Sequence, residues 1–236
     1  MPYPERSILH YSFDLWLTLI KSNPAFKPAR SQYFHQHFNR QQKSLEEVNR
    51  VFRRIDLLGN SINECVGKNL EAEEMYLMVI HELNGEAFPL REVDLPALNS
   101  AMEALVLEHQ PLLYSEDVCD ILAQLQQQPG VTMNLLSNTG FIKGETLRKV
   151  LARLSLDRFF CFQLYSDEVR LSKPAPAFFD MVAEGAEKHR GEALQRQQIL
   201  HIGDNAFTDL AGAQKAGMSA LLIHSNHIPL SSVLRI

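Results

Sequence analysis

Asp14 is the residue of this sequence best placed to act as a nucleophile. It directly follows the apolar run at residues 8–13, which has the length and residue types of a buried strand. A carboxylate at such a position can attack phosphorus or carbon and form a covalent intermediate that water later releases. An aspartate that only caps a turn is the plain alternative, so the interpretation depends on what the rest of the chain supplies.

Two later segments could hold an anionic group that Asp14 attacks. Ser137 and Asn138 follow an apolar run, and a hydroxyl with nearby backbone N–H groups could bind a phosphate oxygen there. Lys173 precedes a proline, and its ammonium would offset charge on both the nucleophile and the substrate. A Ser-Asn turn and a solvated surface lysine are the ordinary alternatives for these residues.

Asp204 and Asp209 come just after the apolar run at residues 199–202. Ligands of an open α/β sheet bind beyond the carboxyl ends of the strands, so we expect both residues near Asp14. Such carboxylates repel one another unless a cation neutralises them. Hard oxygen ligands at an open site suit Mg²⁺, which keeps several waters. We therefore predict a Mg²⁺ site here, although Asp209 as a helix cap and Asp204 as a turn residue would be partly compatible with it.

Short apolar runs, several of them rich in β-branched or aromatic residues, are typical of buried parallel strands. They lie at residues 8–13, 131–136, 160–165, 199–202 and 220–223. Helical patterns alternate with them at 116–128, 143–154, 174–189 and 208–216. This alternation predicts an α/β fold with a doubly wound, mostly parallel, Rossmann-like sheet.

Residues 21–114 interrupt this alternation. They carry long helix-compatible segments, such as 28–54 and 70–83, and no convincing strand. We predict that 21–114 form a helical cap domain inserted into an α/β core, which is built from residues 1–20 and 115–236.

In order, spacing and residue type, the segments around Asp14, Ser137, Lys173 and Asp204 resemble the motifs of the haloacid dehalogenase-like hydrolase superfamily. The first motif of that family usually reads Asp-x-Asp-x-Thr, and here Trp16 stands at the second Asp position. The resemblance implies a mobile helical cap after the first motif, and a metal held partly by the backbone carbonyl of Trp16. The phosphate-binding residues that it implies are Thr18, Ser137, Asn138 and Lys173.

Trp16 leaves the type of reaction open. In the resembled phosphatases the second Asp protonates the leaving oxygen and then deprotonates the attacking water, whereas an indole can do neither. One alternative is a slow or narrow phosphatase. A second is a 2-haloacid dehalogenase, because the dehalogenases of the family carry an aromatic residue here and expel halide without a metal. A third is a protein that binds a phosphorylated ligand or a protein partner without turnover.

Two residues favour the first alternative. The dehalogenases have an uncharged polar residue where Asp204 stands, and they typically have Tyr where this chain has Phe179. The resemblance therefore implies a Mg²⁺-dependent phosphatase that acts on a small phosphorylated metabolite. Its catalytic residues would be Asp14, which becomes phosphorylated, and Lys173, and its metal ligands would be Asp14, Trp16, Asp204 and Asp209.

Composition narrows the classes of partner. The 236 residues are 45% hydrophobic and carry a net charge of −5 with no long basic run. This charge argues against binding to nucleic acid or to an anionic membrane surface and leaves small molecules as the expected partners.

The cysteines favour a reducing cytosol, because they are odd in number and lack metal-ligand spacing; they are Cys65, Cys119 and Cys161. The N-terminus lacks the pattern of a leader, and no stretch has the apolar length of a spanning helix. We expect a soluble, unprocessed, cytoplasmic protein.

The remaining candidates are interpreted as structural. The histidines, among them His10 and His201, show no spacing that matches a carboxylate partner, and Arg53 and Arg54 are typical of a solvated helix face. A specificity role for that arginine pair is the lesser alternative.

Overall fold

The computed structural model describes residues 8–224 and 227–236, and its main feature is a five-stranded parallel sheet. In chain order the strands are β1 His10–Phe13, β2 Ile20–Lys21, β3 Leu112–Leu113, β4 Thr132–Ser137, β5 Phe162–Tyr165, β6 Ile199–Gly203 and β7 Ser219–Leu222. The order in the main sheet is β5-β4-β1-β6-β7, and β2 pairs with β3 in a separate antiparallel ribbon. The predicted α/β sheet is confirmed, with strand bounds that differ by one or two residues from those expected.

Strand β1 lies in the centre of the sheet, and its pairing with β4 and β6 brings the ends of the three strands together. Phe13 at the end of β1 is opposite Leu135 of β4 on one side and Ile202 of β6 on the other. The carboxyl ends of these three parallel strands therefore meet at one edge. The polar residues that follow them begin at this edge.

Helices cover both faces of the sheet. In chain order the α-helices are α1 Phe26–His37, α2 Leu45–Val66, α3 Ala72–Asn84, α4 Leu95–Glu108, α5 Val118–Gln126, α6 Gly144–Arg153, α7 Ser166–Val169, α8 Pro176–Arg190 and α9 Gly212–Lys215. Successive residues of a strand point to opposite faces. Leu135 accordingly packs with α5 and α6, whereas Leu136 packs with α8 and α9. This two-sided burial explains why the strands are mostly apolar instead of alternating between apolar and polar residues.

Helices α1 to α4 lie between the two strands of the ribbon and share a second hydrophobic cluster. The Phe34 ring centroid lies 4.8 Å from that of Phe52 and 5.6 Å from that of Tyr76. Phe141, from the segment after β4, joins this cluster, and the Tyr76 hydroxyl donates to its carbonyl at 2.7 Å. The helical nature of the insert is thus observed, while its description as a separate cap domain stays a prediction.

Two expectations about the insert are wrong in detail. The segment 28–54 is not one helix, because Ser44 and Glu47 form a capping box that begins α2. Asn39 also closes the preceding loop with two hydrogen bonds to the backbone of Lys43. The stretch also contains strand residues, since Lys21 pairs with Leu112 in the ribbon. A strand of two residues is too short to produce a sequence pattern.

Within the ranges that the structure describes, no helix is both long enough and apolar enough to cross a membrane. The expectation about the first six residues of the chain lies outside the described residues.

Candidate active site

Lys173 joins two of the predicted carboxylates at the edge of the sheet. Its Nζ lies 2.6 Å from Oδ1 of Asp14 and 2.6 Å from Oδ1 of Asp209. Its side chain is only 2% exposed, which rules out the solvated surface lysine. Although burial alone would lower it, the two carboxylates raise the pKa of Lys173 to about 12. The lysine is therefore a fixed positive charge beside the predicted nucleophile.

Asn138 holds the backbone of Lys173. The Asn138 amide donates to the Lys173 carbonyl at 3.0 Å, and the Lys173 N–H donates to Asn138 Oδ1 at 2.8 Å. Ser137 is fully buried and donates to the Asn138 carbonyl. Asn138 thus has a positioning contact that the sequence did not indicate, and the phosphate-binding roles of both residues stay predictions.

Asp209 is held from three sides. Besides Lys173, its carboxylate accepts from the Asn205 N–H at 3.0 Å, and its Oδ1 lies 3.2 Å from Nε2 of His201. Burial would raise the pKa of Asp209, but Lys173 and His201 hold it well below its usual range. The helix-cap alternative for Asp209 is wrong, because the side chain of Asn205 caps the π-helical segment Ala206–Ala211 instead. Asp209 therefore remains ionised.

The prediction that the histidines lack a carboxylate partner is wrong for His201. This residue is fully buried in β6, and its second ring nitrogen lies 3.1 Å from the Ser12 hydroxyl. Burial lowers the pKa of His201, so the neutral ring orients Asp209 without adding charge. Gly203 completes the arrangement, because a Cβ there would lie 2.3 Å from the Asp209 carboxyl carbon.

The loop after β1 carries the remaining first-motif residues. Thr18 is buried and donates to Oδ2 of Asp14 at 3.3 Å. Trp16 is partly buried against the main hydrophobic cluster and also lines the cavity above Asp14. Leu17, with a φ of 59°, turns the backbone between them and is exposed. Trp16 therefore forms part of the wall of the site.

Asp14, Asp204 and Asp209 form a group of acids that could hold a metal ion. Each offers a carboxylate oxygen, and these oxygens lie within 4.8 Å of one another. The single ammonium of Lys173 leaves negative charge in excess, which fits a divalent cation with oxygen ligands. Burial raises the pKa of Asp14 to about 7, with Lys173 opposing and the other two acids adding to the rise. A cation bound here would favour the ionised, nucleophilic form of Asp14.

A cavity of about 400 Å³ opens above these residues. On the side of the sheet its wall includes Asp14, Trp16, Asn138, Lys173, Asp204 and Asp209. On the side of the insert its wall includes Lys27 and Arg30 of α1 and Asp56, Asn60 and Glu64 of α2. A volume of this size suits a small molecule. Thr18 and Ser137 are fully buried and lie outside this wall.

The sequence interpretation missed the residues that the insert contributes. Phe26, Arg30 and Phe34 are spaced by four and all are buried, so the pattern places an arginine on the apolar face of α1. Asp56, Asn60 and Glu64 are also spaced by four and share one face of α2. These two spacings could have identified the cavity side of each helix. The arginine pair on α2 was a weaker choice, since Arg54 pairs with Glu82 away from the cavity.

The residues at this edge and the order of the elements match a known family. Residues 10–217 match the sequence model of the haloacid dehalogenase-like hydrolases. The chain belongs to this family. The resemblance inferred from the motifs is confirmed.

Two curated proteins match part of this chain in sequence. An uncharacterized hydrolase of Schizosaccharomyces pombe is 27% identical over 101 residues, which cover 43% of this chain and 42% of that protein. An uncharacterized protein of Saccharomyces cerevisiae is 32% identical over 119 residues, which cover 47% of this chain and 38% of that protein. The matched part therefore spans less than half the length of these two relatives.

Solved structures share the fold over nearly the whole chain. The HAD-hydrolase YfnB from Bacillus subtilis, solved with bound magnesium, has a TM-score of 0.72 at 20% identity and covers 98% of this chain and 100% of its own. A HAD phosphatase from Thermococcus onnurineus has a TM-score of 0.67 at 19% identity, covering 96% and 95%. A 2-haloacid dehalogenase from Pseudomonas syringae has a TM-score of 0.62 at 19% identity, covering 97% of both. At these sequence identities the similarity shows a shared fold only. The proteins that share it include both a phosphatase and a dehalogenase.

Phe179, which favoured a phosphatase by resemblance, does not touch the cavity. It is fully buried on α8, and its ring meets that of His201 edge-on at 5.2 Å between centroids. A Cβ on Gly212 would lie 2.7 Å from the same ring. Phe179 therefore packs against the residue that orients Asp209 and lies outside the described cavity wall.

Proposed function

We propose that this hydrolase is a Mg²⁺-dependent phosphatase that acts on a small phosphorylated metabolite through a phosphorylated Asp14. One observation carries the proposal: Asp204 is retained, and it lies with Asp14 and Asp209 in one group of carboxylates. Expulsion of halide needs no cation, whereas transfer of an anionic phosphoryl group to a carboxylate needs charge neutralisation. The cavity volume and the net charge of −5 support a small molecule as substrate.

The described residues supply the nucleophile and a fixed cation for two half-reactions. Asp14 attacks the phosphorus atom, the bond from phosphorus to the leaving oxygen breaks, and an aspartyl phosphate and an alkoxide or aryloxide form. Water then attacks this phosphorus, the bond from phosphorus to Asp14 breaks, and the proton of water passes to solvent or to the released oxygen anion, which yields inorganic phosphate and restores the carboxylate. Lys173, 2.6 Å from Asp14, stabilises negative charge in both steps. Asp14, Asp204, Asp209 and the backbone carbonyl of Trp16 would hold Mg²⁺, whose charge neutralises the transferring phosphoryl oxygens when it is bound.

Replacement of Asp204 by Asn should weaken Mg²⁺ binding strongly. The change keeps the shape of the side chain but removes one of few anionic ligands. Calorimetric titration with MgCl₂ measures the effect, and we expect a rise in Kd of about tenfold or more. Asp157→Asn is a suitable control, because Asp157 is exposed and precedes β5 at the opposite edge of the sheet. An unchanged Kd in Asp204→Asn would refute the proposed metal site.

Activated phosphate esters should be hydrolysed much faster than alkyl esters. Trp16 cannot protonate a leaving oxygen, so a substrate whose leaving group needs no proton avoids that loss. We expect kcat/KM for an aryl phosphate to exceed that for a matched alkyl phosphate by about 10²-fold or more. Similar values for both classes would mean that another group, such as Asp56 in the cavity wall, supplies the proton.

A 2-haloacid dehalogenase is the second candidate, and the position of Trp16 in the cavity wall favours it. Halide leaves without protonation, so the indole would be no obstacle. Release of halide from 2-chloropropionate without divalent ions, and unaffected by Asp204→Asn, would replace the phosphatase proposal. If neither class of substrate is turned over, ligand binding without catalysis is the remaining function.

A cytoplasmic location also stays a proposal, supported by the three free thiols of Cys65, Cys119 and Cys161.

A further inference from the structure

Arg30 is a buried cation of the insert that packs against aromatic rings. It lies in α1 and is only 6% exposed. Its Nε is buried without an acceptor. In the part of the chain that the structure describes, neither a hydrogen bond nor an ion pair engages its guanidinium. By contrast, Arg148 pairs with Glu168, and Arg40 pairs with Glu92.

The contacts that Arg30 does make leave its N–H groups available. Its Cζ lies 3.9 Å from the ring centroid of Phe52 and 4.7 Å from that of Phe141. Aromatic faces stabilise a cation through their quadrupole, but they accept no conventional hydrogen bond. Asp56 acts on the guanidinium only at longer range, without forming an ion pair. A buried guanidinium in this state is costly to the fold, which is explained if a ligand supplies the missing acceptor.

The position of Arg30 indicates where that ligand lies. Arg30 and Asp14 line the same cavity, Arg30 from the insert and Asp14 from the end of β1. Lys173 and the three carboxylates of the candidate metal site lie at the end of the cavity where the proposed reaction takes place. Lys27, three residues before Arg30 on α1, adds a second positive charge to the same wall. The same wall also carries Asp56 and Glu64, so the case for an anionic ligand rests on the guanidinium of Arg30, whose buried Nε has no acceptor.

We propose that Arg30 binds a carboxylate on the part of the substrate remote from the scissile bond, so that the substrate class is phosphorylated carboxylic acids. A guanidinium presents a planar set of donors that matches a carboxylate with two parallel hydrogen bonds. The inference rests on the proposed phosphatase function for the identity of the reacting group, but the carboxylate site itself can be measured by binding alone.

The test compares two aryl esters that differ only in charge at the distal end, 4-carboxyphenyl phosphate and 4-carbamoylphenyl phosphate. We expect the wild-type protein to prefer the acid in kcat/KM by about tenfold or more, mainly through a lower KM. In Arg30→Met, which keeps an unbranched apolar side chain, the ratio should fall to about one. Arg53→Met is the matched control, because Arg53 is exposed on α2 and does not line the cavity. It should keep the wild-type ratio.

Each outcome has a defined meaning. A wild-type protein that hydrolyses both esters with equal kcat/KM would overturn the carboxylate site, whatever the variants do. A purely structural role for Arg30 would change the melting temperature of Arg30→Met without changing the ratio. If neither ester is hydrolysed, the phosphatase proposal fails separately. Calorimetry with 4-(phosphonomethyl)benzoate and its neutral amide then decides the site: tighter binding of the acid, lost in Arg30→Met, supports it, and equal binding refutes it.

Discussion

Asp14→Asn is expected to abolish phosphatase turnover, with a fall in kcat of at least about 10⁴-fold. The amide keeps the size of the carboxylate and can still accept a hydrogen bond from Lys173, but it cannot attack phosphorus. The measurement is the release of inorganic phosphate from an aryl phosphate in the presence of MgCl₂. Mass spectrometry should detect a phosphorylated protein only when Asp14 is present.

The control must separate lost chemistry from lost structure. Asp14→Asn leaves Lys173 with one ionised partner, Asp209, so some loss of stability is expected and thermal melting must show a folded protein. Asp157→Asn changes the same functional group at the opposite edge of the sheet and should keep wild-type activity. A folded Asp14→Asn protein with turnover within tenfold of the wild type would show that another residue is the nucleophile.

Trp16→Asp is expected to raise the hydrolysis of alkyl phosphates by about 10²- to 10⁴-fold, the usual contribution of a positioned acid-base group. The new carboxylate would stand two residues from Asp14, in the wall of the same cavity. The backbone carbonyl of residue 16 would remain as a metal ligand. The measurement is kcat/KM for an alkyl phosphate, compared with kcat/KM for an aryl phosphate, whose leaving group gains little from an acid.

Trp16→Asn is the matched control for this gain. It removes the same indole and has nearly the same shape as Asp, but it has no proton to exchange at neutral pH. Loss of a partly buried indole should cost less than the roughly 3–5 kcal/mol of a fully buried Phe or Trp truncated to Ala, and thermal melts measure this cost. Equal activity in folded Trp16→Asp and Trp16→Asn would contradict our account of Trp16. It would favour the dehalogenase or the binding function.

Activity in these assays would also separate the roles of the two walls of the cavity. Asp14 and Trp16 act at the reacting bond, whereas Arg30 lies on the wall formed by the insert. Changes at Asp14 should therefore alter the hydrolysis of every phosphate ester, and changes at Trp16 should have the largest effect on esters with poor leaving groups. Arg30 should change KM according to the distal group of the substrate.

The amino-acid sequence was enough to predict the sheet and the residues at the carboxyl ends of its strands. The five runs that became β1, β4, β5, β6 and β7 are mostly apolar, because helices cover both faces of a parallel sheet. The end of such a run marks where polar residues gather, so Asp14 and Asp204 could be assigned to one edge from local pattern alone. Trp16 could be recognised in the same way as a departure from the family motif.

The contacts among these groups became known from the folded structure. Lys173 is 159 residues from Asp14 and 36 from Asp209, and it contacts both because the register of the parallel strands and the hydrogen bonds of Asn138 place it there. The pairing of His201 with Asp209 depends on the turn at Asn205. Spacing along the chain does not report such distances.

The cavity side of the insert was the part hardest to predict. Arg30 lies on an apolar helix face, and its pattern alone suits either packing or ligand binding. The absence of an acceptor near its guanidinium, within the described residues, becomes visible only when α1 packs against Phe52 and Phe141. The periodicity of apolar residues predicts which face of a helix is buried. The residues that contact this face depend on how the neighbouring elements pack.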